Sequence, residues 1–323
     1  MTTAPQRAYV ASLLEENLGL VSGSLDAEAV PAELVDEVCS TLTRCAGRED
    51  EVESPFLEKQ FLSFLSDLES SELEARGYFV RKALWPRGAP YAVCLTHDVD
   101  NLSRPLSHVW KTRGRFSSTD LLRHILGVSS LYNNVRRIVR EEGRRGFHSS
   151  FYFLTTNYPL GELREAVTQL SEMGWDIGLH GDFGTHDSLD EMARSLERFR
   201  SALGFRPRGV REHFLRFDPS KTWDVVSEAG FDYDTTVGNN DRLGFKVGLA
   251  TPFHPPDAEW RASRIVEIPL SLMDTTLWGY LKKDEESGHA EIRRMVDRVK
   301  DVGGLFTLLW HQEAVRMKGG RLY

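Results

Sequence analysis

Cysteine is scarce. Cys39, Cys45 and Cys94 are the only three in 323 residues, too few and too irregularly placed for a disulfide framework, which suits a reducing compartment. No four-cysteine set exists, so a closed structural zinc site is not expected. Long apolar runs are missing too. No stretch approaches the roughly 20 apolar residues of a membrane helix, so no membrane span is expected. The opening MTTAPQRAYVASLLEENLGL lacks a basic start, a continuous apolar core and a small-residue cleavage site, so no secretory signal is predicted and a cytoplasmic protein is expected. Positive charge is in deficit, with 40 Lys and Arg against 48 Asp and Glu, a net charge of −8. That balance argues against a nucleic-acid protein, whose affinity rests on phosphate neutralisation. What remains, 41% hydrophobic and 27% charged residues, is ordinary for a soluble protein with room for one large domain and something smaller.

The chain changes character near residue 78. Before it lie acidic helical segments, near Arg7–Leu18, near Ala32–Cys45, and one opened by Ser54-Pro55 with Phe61, Phe64, Leu65 and Leu68 on one face. Residues 1–78 therefore read as a small helical domain or arm, and 79–323 as the main domain. After Tyr78, short apolar strands alternate with amphipathic helices. Strands are predicted at Tyr91–His97, Ser149–Leu154, Asp176–His180, Gly209–Phe214, Phe231–Thr236, Ile265–Leu272 and Leu305–His311. Helix punctuation is clear between them, as in the capping box Ser188-x-x-Glu191 and the stop at Gly204. Repeated strand–helix alternation means an α/β domain of parallel strands with right-handed crossovers. Seven strands fit an open doubly wound sheet or a barrel, and periodicity does not choose. The first crossover, Asn101–Gly146, is long and rich in Arg and Lys, a solvated face or a cationic lid over an anionic substrate.

In parallel α/β folds the chemistry gathers at the carboxyl ends of strands. The first strand ends in His97-Asp98-Val99-Asp100, the third in GLHGDFGTHD, and the fourth holds GVREHFLR. The fifth gives Asp234 and the last ends LLWHQE, with His311. Asp98 and Asp100 lie two apart, so in extended chain both carboxylates face one side. Two like charges side by side repel unless a cation intervenes. Aspartate and histidine from several strand ends, with a position left open for water, is the donor chemistry of a hydrolytic metal centre.

From about Tyr78 onward the chain resembles the polysaccharide deacetylase family of metal-dependent carbohydrate N-deacetylases. THDVD resembles the first motif of that family, HGDFGTHDSL its His-(Ser/Thr)-x-x-His motif, RPRGVREHF its arginine motif, and LLWH its closing Leu-x-His; YDTT stands near the fourth. The resemblance implies a distorted seven-stranded (β/α) barrel. It implies Asp98 as catalytic base, Arg211 as its orienting partner, His311 as general acid, and Leu309 in the acyl pocket. It implies Asp100, His180 and His186 as ligands of a divalent metal, most simply zinc. His180 and His186 are six apart where the family spacing is four, which a two-residue loop insertion would explain; Asp182 is the rival third ligand. His97 and His213 read as structural, and no role passes to Asp234.

The function so implied is removal of an N-acyl group, acetyl above all, from an amino sugar or sugar conjugate. A deformylase or another carbon–nitrogen amide hydrolase would use the same parts, and a non-catalytic sugar-binding barrel is the reading from another class. Arg206, Arg208, Arg211 and Arg216 form either solvated surface or a phosphate-binding edge. Together with Lys111, Arg113 and Arg115 they carry the expectation of a phosphate-bearing substrate.

Overall fold

The computed structural model of the chain describes residues 2–47 and 53–317. The remaining residues of the two expected regions lie outside that description. The N-terminal helices are α1 (Ala4–Leu18), α2 (Ala32–Arg44) and α3 (Phe56–Arg76). Thr3 opens α1 with a capping box to Gln6, satisfying two backbone donors that a helix start leaves bare. These helices share one continuous apolar core with the main domain, Leu14, Val38 and Phe61 packing in the cluster that includes Phe151, Leu179 and Val210. Polar anchors fix the contact. The buried Glu58 carboxylate accepts from the amides of Ala250 (2.8 Å) and Thr251 (2.5 Å), and Tyr9 Oη donates to the His254 carbonyl at 2.9 Å. With no cation beside it, burial pushes the Glu58 carboxyl up to about 7.

The main domain runs β1 (Ala92–Val99), α4 (Leu106–Thr112), α5 (Ser118–Ile125), α6 (Val135–Gly143), β2 (Ser150–Leu154), α7 (Arg164–Glu172), β3 (Asp176–Gly181) and α8 (Leu189–Leu203). It continues β4 (Gly209–Glu212), α9 (Thr222–Ala229), β5 (Tyr233–Asp234), β6 (Val266–Glu267), β7 (Leu272–Met273), α10 (Glu285–Val302) and β8 (Leu305–Leu309). Every strand pair is parallel, and the sheet order is β6-β5-β4-β3-β2-β1-β8-β7. The sequence reading expects one strand at Ile265–Leu272, and the structure divides it. The Ile268 amide still pairs with Asp234 O on β5 (2.8 Å), whereas the Ser271 amide pairs with Thr307 O on β8 (3.0 Å). Pro269 between them has no N–H to offer a ladder. One continuous run thus crosses from one edge of the sheet to the other and closes a distorted barrel. The predicted α/β barrel is the observed fold, with eight short strands in place of seven.

Alternation along the strands sorts side chains into two populations. Phe151, Phe153, Ile177, Leu179 and Val210 pack outward under the helices. Thr96, Asp98, Tyr152 and Arg211 meet on the inside, where Arg211 lies 4.6 Å over the Tyr152 ring. Gly178 makes this possible, since a Cβ there would strike Tyr152. His97 points the other way, its ring nitrogens against the Trp310 carbonyl (2.6 Å) and Glu142 Oε1 (3.0 Å), a structural residue. No helix among the described residues is long and apolar enough to cross a membrane.

Candidate active site

The carboxyl ends of the strands open into a cavity of about 760 Å³. Asp98 and Asp100 both line it, as their spacing on β1 predicts. Asp98 is 3% exposed. Its Oδ1 accepts from Arg211 Nη1 at 3.0 Å, and its Oδ2 lies 3.7 Å from His180 Nε2. Arg211 is held on all sides. It donates to Thr96 Oγ1 (2.8 Å), to the Thr235 carbonyl (3.1 Å) and to Thr235 Oγ1 (3.1 Å). A guanidinium so placed stays charged and keeps Asp98 in one orientation.

His180, at the end of β3, turns its Nδ1 to the Arg211 carbonyl at 2.8 Å, so that nitrogen carries the proton. Its Nε2 then faces Asp100 Oδ1 at 3.1 Å. In a neutral ring these are two lone pairs pointed at each other, which calls for a proton or a cation between them. Burial alone would disfavour a charged His180, but Asp98 and Asp100 prevail and push its pKa up. Asp100 Oδ1 has no well-formed hydrogen bond although it is buried. Desolvation opposes ionisation of Asp100, yet the facing His180, His311 and His213 hold it well below the usual carboxylate range.

The third member of this group comes from the turn that follows β4 directly. His213 Nε2 lies 3.8 Å from Asp100 Oδ1, and the candidate ligand atoms of Asp100, His180 and His213 all lie within 4.8 Å of one another. Burial, then the neighbouring His180, lowers the His213 pKa to about 4, so its ring is neutral and free to ligate. The ring stacks on Phe214 at 3.9 Å, and Phe214 and Leu215 take left-handed backbone angles (φ 61° and 50°). Such strain in non-glycine residues collects at functional sites, here where the chain turns sharply away just after the ligand.

His186, expected as the third ligand, is elsewhere. It sits in a helical turn at Thr185–Asp187 that packs against α8 and α9, with Nδ1 3.7 Å from Asp187, and it does not line the cavity. The reason is a pair of anchors. Thr185 donates to the buried Glu212 carboxylate, which faces outward from β4 because it alternates with Arg211 and His213. Gly181 allows that close approach, since a Cβ there would collide with the same carboxylate. Asp182, the rival ligand, is equally committed, accepting from Thr156 Oγ1 (2.8 Å), Ser195 Oγ (2.8 Å) and Arg198. The loop is therefore drawn onto the helix layer, and the nearby inward position on β4 brings His213 to the group instead. His213, expected from the sequence to be structural, thus lies with Asp100 and His180 in the cavity. The signal that could have found it is strand alternation, since Arg211 and His213 lie two apart on one side.

His311 follows β8 and lies abreast of Asp98 on the neighbouring strand, where the Gln312 amide donates to the Asp98 carbonyl at 3.3 Å, and its Nε2 is 3.8 Å from Asp100 Oδ2. Its Nδ1 pairs with Asp274 Oδ1 at 2.7 Å, and its backbone amide donates to Asp274 Oδ2 at 2.9 Å. Asp274, buried just beyond β7, escaped the sequence reading because the predicted strand stops at Leu272. Burial works against a charged His311, but Asp274, Asp100 and Asp98 together raise its pKa well above the usual value. Leu309 lines the cavity with Leu215 and Met273, an apolar wall beside the polar group.

The expected arginine edge does not form. Arg206 and Arg208 precede β4, at the opposite end of the barrel, bound to the Ala229 carbonyl and to Asp232 (2.7 Å). Arg211 is buried, and Arg216 lies over the Phe183 ring at 3.6 Å. The cations that do line the cavity are Arg104, Arg115 and Lys282. Asp234 is remote from this chemistry, paired with Glu267.

No family model and no curated protein matches the sequence. Solved structures do match. A probable polysaccharide deacetylase from Pseudomonas aeruginosa is 18% identical, with a TM-score of 0.51 over 77% of this chain and 87% of that one. A protein from Mycobacterium smegmatis assigned as a polysaccharide deacetylase is 22% identical, with a TM-score of 0.49 over 73% and 80%. The likeness to the Pseudomonas protein establishes a common fold.

Proposed function

We propose that the protein is a metal-dependent hydrolase that removes an N-acetyl group from an amino sugar or sugar conjugate. One observation carries the reading. Asp98 is held by Arg211, its neighbour His311 by Asp274, and both line one cavity with an Asp/His/His group whose facing lone pairs ask for a cation. Asp100, His180 and His213 would hold the ion, and one carboxylate with two imidazoles suits zinc. A divalent ion there supplies Lewis acidity, which polarises a carbonyl and makes water a better nucleophile near neutral pH.

The protein's own groups carry the protons. Asp98, oriented by Arg211, takes a proton from the attacking water as the water oxygen bonds to the amide carbon. Nitrogen leaves badly as an anion, so His311 delivers its Nε2 proton as the carbon–nitrogen bond breaks. Asp274 keeps that imidazole charged and aimed. The products are a carboxylate and a free amine. The wall of Leu309, Leu215 and Met273 offers apolar contact to an acyl methyl, which favours acetyl over formyl. Among the described residues Arg104, Arg115 and Lys282 have no side-chain hydrogen-bond or ion-pair partner, and Arg104 Nε is buried. These three, in place of the expected edge, support a phosphate-bearing substrate. The reading fits polysaccharide deacetylases by fold. It is tested by screening acetylated amino sugars, free and nucleotide-linked, for acetate release with and without added zinc. No release from any of them, with one ion bound per chain, would favour the non-catalytic sugar-binding barrel.

A further inference from the structure

We propose that the outer face of α4 and α5, within residues 104–128, docks on an anionic lipid bilayer. An amphipathic helix on a protein surface normally turns its apolar stripe inward. Here the stripe faces out. Leu122, Ile125 and Leu126 share one face of α5 at i, i+3 and i+4, and no residue of that helix is buried. On α4, Leu106 and Trp110 lie one turn apart on the outer side, while Val109 points into the core. With Val128 these six side chains are each between 57% and 72% exposed. His108 of α4 and His124 of α5 both pack against the Tyr132 ring, at centroid distances of 6.2 Å, so the two helices flank one residue and their stripes adjoin. A contiguous apolar surface of this kind marks an interaction site.

Charge selects the occupant. Five cationic side chains, Arg104, Lys111, Arg113, Arg115 and Arg123, lie in this segment against one carboxylate, Asp120, itself paired with Arg316 at 2.6 Å. The chain as a whole carries −8. A second copy meeting the same face would set cation against cation, so a symmetric dimer is disfavoured. An exposed tryptophan, branched aliphatic side chains and Lys and Arg around them are the composition of an interfacial helix on anionic headgroups. The Arg113 guanidinium over the Trp110 ring, at 4.4 Å, joins both elements in one place. Arg104 and Arg115 also line the cavity, so the face lies beside its mouth.

The test is cosedimentation of the full chain with vesicles of phosphatidylcholine alone and of phosphatidylcholine mixed with phosphatidylglycerol. Binding is expected to the mixed vesicles, to weaken as salt rises, and to fall at least about tenfold in the triple variant Trp110→Ser, Leu122→Ser, Ile125→Ser. Thermal unfolding of that variant should match the parent chain, because all three side chains are exposed. Bromine-labelled lipid should quench a fluorescence component that Trp110→Phe removes. Absence of binding to either vesicle, or equal binding by the triple variant, would overturn the proposal. Self-association in light scattering that the triple variant abolishes would assign the face to a second copy instead. Salt-dependent capture of an acidic protein by this face without vesicle binding would assign it to a protein partner.

Discussion

Two buried carboxylate pairs stand at strand ends of this barrel, and they are handled in opposite ways. Asp98 and Asp100 follow β1 among Arg211, His180, His213 and His311. Asp234 and Glu267 sit side by side on β5 and β6, where Glu267 accepts from Trp223 Nε1 (2.9 Å) and the Val237 amide (3.1 Å), and Asp234 accepts from Thr236 Oγ1 (2.5 Å). Lacking a cation in contact, that second pair keeps a proton. Burial raises Asp234 to about 6 and, with Asp234 beside it, raises Glu267 well above its usual value. Burial alone therefore does not make a carboxylate chemical. What distinguishes the first pair is positive charge aimed at it from three other strands.

The sharpest way to break the contrast is to remove one of the imidazoles gathered around Asp100. His213→Ala should empty the metal site and abolish turnover, because two remaining ligands make only a weak site. His186→Ala should leave both intact. Metal analysis and acetate release on the same samples decide it, and the reverse pattern would return the third ligand to His186.

Next comes the loss of proton transfer with the ion retained. Asp98→Asn and His311→Ala should each lower the rate by about 10²–10⁴-fold while metal content stays near wild type. Full activity in either would remove the role given to it here.

A smaller and more diagnostic effect is expected at Asp274. It raises the His311 pKa, so Asp274→Asn should lower that pKa. His311 acts when protonated; activity is present below its pKa and lost as pH rises through it. The alkaline limb of the rate profile should thus move to lower pH while the acid limb stays. Unmoved limbs with a uniform fall in rate would mean that Asp274 only supports the fold.

The smallest effect belongs to the other pair. Glu267→Gln replaces a protonated carboxyl by an amide of its own shape, so stability at pH 5 should change by no more than about 1 kcal/mol. The sign of the pH effect is the sharper part. A folded pKa raised above the unfolded value of about 4.3 gives stability that is complete below that value and lost as pH rises through the folded pKa. The wild type should therefore lose Tm from mildly acidic to alkaline pH, and Glu267→Gln should flatten that slope. A parallel shift of both curves would mean that Glu267 is ionised in the native state.

Much of this was legible in the sequence. Alternation placed Asp98 and Asp100 on one side of β1, and apolar periodicity with glycine stops placed β1 to β4, β8 and the helices between them. The apolar stripe of α5 was legible too, but not its outward direction. Which side a residue takes on a strand, and where a helix begins and ends, are set by period two, capping and the missing side chain of glycine, all local properties of the chain. Four things needed the tertiary structure. Thr185 and Asp182 are drawn to Glu212 and Arg198, partners remote in sequence, and that leaves His213, not His186, beside Asp100 and His180. Asp274 comes under His311 only because β7 pairs with β8. The run around Pro269 closes the barrel through partners on both edges of the sheet. Asp234 and Glu267 meet because β5 and β6 lie in register. Each of these is a contact between segments far apart along the chain, where local preference carries no information about which partner arrives.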